Sequence, residues 1–123
     1  MPKVRVLIAD DHSLFAEALE AILAADKRIV VAGRARNGKE AVELAARTEP
    51  DVVLMDISMP LMDGFEATAA LLKAHPKASV LMLTGSNART DVARARKAGA
   101  AGYMTKDRIA AELIDAILEV AKQ

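Results

Sequence analysis

The sequence predicts an α/β domain: a parallel sheet of five strands in the order 2-1-3-4-5, doubly wound by five helices. Two observations predict it. Short β-branched or aliphatic runs alternate five times with stretches of helical spacing, and strict strand–helix alternation implies a parallel sheet covered on both faces. The first, third and fourth runs are almost wholly apolar, as strands buried on both sides should be. Right-handed crossovers leave few topologies, and this order sets the first and third strands side by side in the middle.

The first strand is read at Val4–Ile8. After it, Leu14, Phe15, Ala18, Leu19, Ile22 and Leu23 form an i, i+4 stripe that predicts a helix. The second strand, Ile29–Ala32, is followed by Arg34 and Arg36, charges that suit a sheet edge. Ala41, Val42, Leu44 and Ala45 mark the second helix, opened by Asn37-Gly38-Lys39-Glu40, a variant of the capping box. Val52–Met55 is the third strand, and Phe65–Ala74 the third helix, introduced by Asp63-Gly64 and closed by His75-Pro76. Val80–Leu83 follows as the fourth strand and Ala88–Ala98 as the fourth helix, ended by Gly99. The fifth strand, Ala101–Met104, is the weakest, whereas Ile109, Leu113, Ile114, Ile117, Leu118 and Ala121 define a fifth helix. No repeat, low-complexity tract or linker interrupts the series, so residues 1–123 read as one domain with no output module in this chain.

Composition narrows the function. Hydrophobic residues make up 53% and charged residues 28%, which supports an ordered core rich in alanine, with closely packed helices. Seventeen Lys and Arg balance 17 Asp and Glu, which argues against a generic nucleic-acid binder. With no cysteine, disulfides, thiol catalysis and zinc–thiolate sites are excluded. The run Val4–Ala9 is too short for a signal-peptide core and no segment spans a bilayer, so a soluble cytoplasmic protein is expected.

In an open parallel sheet, ligands bind beyond the carboxyl ends of the strands, where strand order reverses. There the sequence places Asp10 and Asp11 after the first strand, Asp56 after the third and Thr84 after the fourth, with Tyr103, Thr105 and Lys106 at the fifth. Three neighbouring carboxylates repel one another and require a cation. A divalent ion such as Mg²⁺, held by oxygen ligands, supplies it; with three Asp and Lys106 the formal charges sum to zero. Such a site suits phosphoryl transfer, which needs mainly positioning and neutralisation, and one carboxylate can become an aspartyl phosphate. Each feature also has a bland reading. Asp10-Asp11 can cap a helix, Asp56 can serve a turn, Thr84 can simply end a strand, Lys106 can be a solvated surface lysine and Tyr103 can be core. His12 and His75 are assigned to helix boundaries rather than to chemistry. The coincidence at one edge outweighs these readings.

The segments Val6-Leu7-Ile8-Ala9-Asp10-Asp11-His12, Asp51-Val52-Val53-Leu54-Met55-Asp56-Ile57-Ser58-Met59-Pro60, Met62-Asp63-Gly64, Leu83-Thr84-Gly85 and Ala98 through Asp107 carry a resemblance. In this order and spacing the chain resembles the bacterial response-regulator receiver domain of two-component signalling, from about Val4 to Val120. The wording at Asp10-Asp11-His12 and Gly102-Tyr103 is most similar to receivers of the helix-turn-helix transcription-factor subfamily, the NarL/FixJ or LuxR type. The resemblance implies a flavodoxin-like (βα)5 receiver fold and a phosphorylation-dependent switch rather than a conventional enzyme. It makes Asp56 the phosphoacceptor, Asp11 a direct Mg²⁺ ligand, Asp10 a helper through water, and the Ser58 carbonyl the last protein ligand. Thr84 and Lys106 would engage the phosphoryl oxygens, and Tyr103 matches the aromatic that changes rotamer as Thr84 moves. Pro60 and Gly64 would shape the loop after Asp56, Pro by fixing φ and Gly by permitting positive φ, while Ser58 and Ser86 sit where the family tunes dephosphorylation.

The implied partners are a sensor histidine kinase or small phosphodonor, an output domain or effector, and a second copy on phosphorylation. Direct nucleic-acid or membrane binding by this chain is not expected. The readout would run through the face built from the fourth helix, fifth strand and fifth helix. That helix carries Arg89, Arg94, Arg96 and Lys97 with Val92 as its best apolar anchor, which predicts mobility. The loop Gly85-Ser86-Asn87-Ala88 is less acidic than the subfamily's, which bears on that face and not on the chemistry. Two other Asp- or fold-based functions compete. A haloacid-dehalogenase-type phosphatase wants a second acid where Ser58 stands, and a flavodoxin-like flavin module wants a Ser/Thr/Gly-rich phosphate loop. A third alternative is an interaction domain in which Asp56 stays unmodified.

Overall fold

The computed structural model describes residues 3–85 and 89–122. Strand β1 is Val4–Ala9, β2 Ile29–Ala35, β3 Val52–Asp56, β4 Ser79–Thr84 and β5 Gly102–Thr105. The helices are α1 Ser13–Ala24, α2 Gly38–Thr48, α3 Gly64–Ala74, α4 Arg89–Ala98 and α5 Ile109–Ala121, with a 3₁₀ turn at Lys106–Arg108 that the sequence did not announce. All pairings are parallel and the order is β2-β1-β3-β4-β5, as expected. The expected loop Gly85–Ala88, with Ser86 and the first residue of the fourth helix, falls largely outside the described residues.

Strand alternation splits the core into two layers. Val6, Ile8, Val52, Leu54, Leu81 and Leu83 face α1 and α5. Leu7, Val53, Met55, Val80 and Met82 face the other way, toward Ala41 and Ala45 of α2, Ala67 and Leu71 of α3, and Ala95 of α4. The alanines do let the helices approach closely: Ala41, Ala45 and Ala67 are fully buried.

Several local expectations need correction. The stripe on α1 is rotated, because Ala16, Leu19 and Leu23 are buried while Leu14 is 83% exposed and Ala18 is exposed too. A hydropathy count cannot separate Ala16 from Ala18; burial in the core layer shared with Val6, Ile8 and Ile29 does. Strand β2 runs on through Gly33 and Arg34 past a register shift, since Val6 pairs with Val31 but Leu7 with Gly33. That irregularity suits an edge strand, and Arg34 is drawn back to Glu20 of α1 at 3.2 Å. At α2 the Asn37 side chain accepts from the Glu40 amide at 2.8 Å, but the Glu40 carboxylate reaches the Arg36 amide rather than closing a box on Asn37. The full capping box stands instead at α3, where Asp63 and Glu66 accept from each other's amides.

Helix α4 is anchored by Ala95, its one buried residue, rather than by half-buried Val92. It ends in a Schellman pattern: Ala100 N–H donates to the Ala95 carbonyl, Gly99 N–H to that of Arg96, and Gly99 takes φ 102°.

Candidate phosphoacceptor site

The register builds the site. Ala9 pairs with Met55 and Asp56 with Leu83, so Asp10, one residue past β1, comes level with Asp56 at the end of β3. The Asp10 amide donates to the Ala35 carbonyl at 3.0 Å, which fixes its backbone against β2. By strand alternation both side chains emerge on the α1/α5 side. Thr84 stands one residue beyond Leu83 and beside Thr105, and Lys106 follows directly.

Gly64 explains the shape of the loop after Asp56, though not by positive φ. A Cβ on Gly64 would land on the Asp56 carbonyl oxygen and lie 2.8 Å from Ile57 Cα. The glycine is there for close approach, clinched by a 2.8 Å bond from its amide to the Ile57 carbonyl. Positive φ is taken instead by Leu61, at 69° and 82% exposed.

Asp10 and Asp56 are buried, 3% and 4% exposed, while the Asp11 side chain keeps 32% of its surface open. The Lys106 ammonium sits 3.4 Å from Asp10 Oδ2 and 3.4 Å from Asp56 Oδ1, so one cation bridges two buried anions. Its position is completed by the Phe15 ring of α1, whose centroid lies 4.2 Å from Nζ. Asp56 Oδ2 is buried with no hydrogen-bond partner among the described residues. Burial, then the charge of Asp10, raises the Asp56 carboxyl above its ordinary value, with Lys106 pulling the other way.

The structure thus brings Asp10, Asp11, Asp56 and Lys106 together as expected. Ser58 lies in the exposed part of the loop beyond Asp56. Thr84 is buried and shares a hydrogen bond with Tyr103, whose phenol is pushed up by burial and partly eased back by that bond. Two residues at the site were read in the sequence for structural places alone. His12 does occupy the N-cap position of α1, but its side chain makes no cap bond; Nδ1 lies 3.1 Å from both Asp10 Oδ1 and Asp11 Oδ1. Phe15 was counted only as core. The signal available for both was their place in the first turn after the acidic pair.

The donor set suits a hard divalent ion. Ligand atoms of Asp10, Asp11, His12 and Asp56 all fall within 4.8 Å of one another, and the charge of the two buried carboxylates, Asp10 and Asp56, is what an oxygen-seeking cation would offset.

A family model described as the response regulator receiver domain matches residues 6–118. This chain belongs to that family. The receiver is 40% identical over 120 residues to the transcriptional regulatory protein DegU of Brevibacillus brevis, covering 98% of this chain and 51% of that one. It thus spans about half the length of the curated relatives it matches. Among solved structures it resembles the receiver domain of the response regulator NarL from Mycobacterium tuberculosis, with TM-score 0.93, 36% identity and coverage of 99% and 98% of the two chains. It also resembles a chain of the CheX–CheY–BeF₃–Mg²⁺ complex from Borrelia burgdorferi, with TM-score 0.89, 25% identity and coverage of 97% and 90%. Its relatives are NarL/LuxR-type response regulators, so the receiver is a signalling domain of the phosphorylation-dependent class. Among the described residues, no helix is long and apolar enough to cross a membrane.

Proposed function

We propose that the receiver accepts a phosphoryl group on Asp56 from a histidine kinase or a small phosphodonor. The observation that carries this reading is the unequal state of the two Asp56 oxygens. Lys106 holds Oδ1 at 3.4 Å, while Oδ2 is buried and unpartnered among the described residues. Oδ2 is the nucleophile. It forms the new O–P bond as the donor's P–N or P–O bond breaks, and the leaving group takes the electron pair.

The chain's own residues prepare this step. Lys106 fixes the carboxylate and neutralises part of the charge that collects as a phosphoryl group arrives. One unit of like charge at 4 Å costs about 4 kcal/mol at the effective dielectric of a protein surface, so an approach to Asp10, Asp11 and Asp56 together is forbidding without cations. Asp11, Asp56 and the Ser58 carbonyl are the proposed Mg²⁺ ligands, with Asp10 acting through water. Mg²⁺ bound there would supply the charge neutralisation that phosphoryl transfer needs. The B. burgdorferi complex that contains a chain of similar fold also contains BeF₃ and Mg²⁺, which supports a Mg²⁺-dependent reading of this pocket.

After transfer, Thr84 donates its hydroxyl to a phosphoryl oxygen and gives up its bond to Tyr103, and the face formed by α4, β5 and α5 responds. Docking of an output domain or effector, and pairing of two receivers, would read that face. The experiment is intact-protein mass after incubation with acetyl phosphate and Mg²⁺, for the parent and Asp56→Asn. One phosphoryl group on the parent, absent with chelator and in the variant, is expected. No adduct on folded protein, with a histidine-kinase donor also tried, points to an interaction domain in which Asp56 is never modified. Sedimentation of the phosphorylated receiver as a monomer at high concentration would contradict pairing.

A further inference from the structure

The imidazole of His12 has no role in the phosphoryl chemistry above, yet it is turned into the acidic pocket. Its main-chain N–H donates to Asp10 Oδ1 at 2.8 Å, which ties the residue's backbone to the pocket wall. Its Nδ1 then lies 3.1 Å from Asp10 Oδ1 and 3.1 Å from Asp11 Oδ1. Helix capping does not account for this placement, since the side chain makes no cap bond. The second observation lies deeper: Asp56, 4% exposed, is one of the four residues whose ligand atoms group here, and its Oδ2 has no hydrogen-bond partner among the described residues. Four donors from three carboxylates and one imidazole lie within 4.8 Å of one another. Ligands on opposite sides of a first-row ion stand roughly 4 Å apart, so one ion can serve them with small side-chain shifts.

We propose that His12 is a nitrogen ligand that lets this pocket take imidazole-seeking divalent transition ions, of the Ni²⁺ and Zn²⁺ class, in addition to a hard ion held by oxygen alone. Imidazole suits Zn²⁺, Ni²⁺ and Cu²⁺, whereas carboxylate and carbonyl oxygens suit Mg²⁺, so His12 acts on the choice between the two classes. With its side chain 64% exposed, the imidazole also sits at the mouth of the pocket, where an ion enters from solvent. In the metal-free state Nδ1–H donates to the carboxylates. On binding, the Nδ1 lone pair faces the ion and the proton is carried on Nε2. The inference rests on the acidic pocket being a cation site, and the experiment separates the two.

The test is calorimetric titration of tag-free receiver with NiCl₂ and, separately, MgCl₂, for the parent, His12→Asn, Asp10→Asn and His75→Asn. Asn suits an N-cap position, so His12→Asn should stay folded, which circular dichroism checks. The expected result is a loss in Ni²⁺ affinity on the order of tenfold or more for His12→Asn, with Mg²⁺ affinity unchanged. Asp10→Asn should weaken both ions, and His75→Asn, which removes the only other histidine, neither. The ligand-field bands of bound Ni²⁺ should shift to lower energy in His12→Asn as a nitrogen donor is lost. Equal Ni²⁺ affinity in parent and His12→Asn, with Mg²⁺ bound by both, overturns this proposal alone. Ni²⁺ binding that depends on His75 and not Asp10 overturns it as well. Failure of the parent to bind either ion overturns the cation site itself.

Discussion

Asp56 is held at a disadvantage as a free carboxylate. Burial and the Asp10 charge raise its pKa, and Lys106 offsets only part of this. A group whose folded pKa lies above its unfolded value adds stability below the unfolded pKa and loses it as pH rises through the folded pKa. At neutral pH the ionised side chain therefore costs stability in metal-free protein. Asp56→Asn should melt at a higher temperature than the parent at pH 7 in chelator, with the gap closing on acidification toward ordinary carboxylate values. Thermal melts across that range check it; a variant less stable than the parent at neutral pH would contradict the electrostatic account. Lys106 is itself held by the Phe15 ring at 4.2 Å as well as by two carboxylates. Phe15→Leu keeps an apolar side chain and removes the ring face, so it should cost about 0.5–1 kcal/mol of cation–π attraction, plus a packing term. Urea denaturation of Phe15→Leu, Lys106→Met and the double variant isolates that coupling.

The two helices flanking the site differ in how firmly their starts are fixed. Helix α3 begins with a reciprocal cap between Asp63 and Glu66, immediately followed by a glycine pressed on the Asp56 carbonyl. Asp63→Ala should cost about 1 kcal/mol by loss of the cap. Gly64→Ala should cost more, because its Cβ has backbone to displace, and it should impair phosphorylation by moving Asp56; denaturation midpoints and the mass assay check both. Element identities were legible in the sequence because each apolar run is bounded by turn chemistry, as at Asp63-Gly64 and Gly99. Finer features were not. The rotation of α1 turns on two alanines of equal hydropathy, the shift in β2 on its pairing with Leu7, and the reach of Glu40 on one rotamer. These are outcomes of packing between segments, which periodicity within one segment does not encode.

Across the molecule, the candidate site was legible because topology does the gathering: strand ends separated by nearly the whole chain meet at one edge. His12 and Phe15 escaped because their roles depend on where α1 seats on the sheet. The same topology divides the site. Asp10 and Asp56 emerge toward α1 and α5, whereas Thr84 bonds Tyr103, which packs with the other layer near Ala95 of α4. Thr84 is thus the one proposed phosphoryl contact already tied to the layer that holds the weakly anchored α4. Replacing it with Val keeps its shape and removes the hydroxyl. Thr84→Val should still be phosphorylated on Asp56, because Lys106 and the three carboxylates are untouched, but the modification should no longer reach α4. Hydrogen exchange before and after phosphorylation measures this. In the parent, amides of residues 89–105 should change protection on modification. In Thr84→Val they should not, while amides near Asp56 still respond. Equal changes in both proteins would route the signal through another contact, with Lys106 and β5 the next to test.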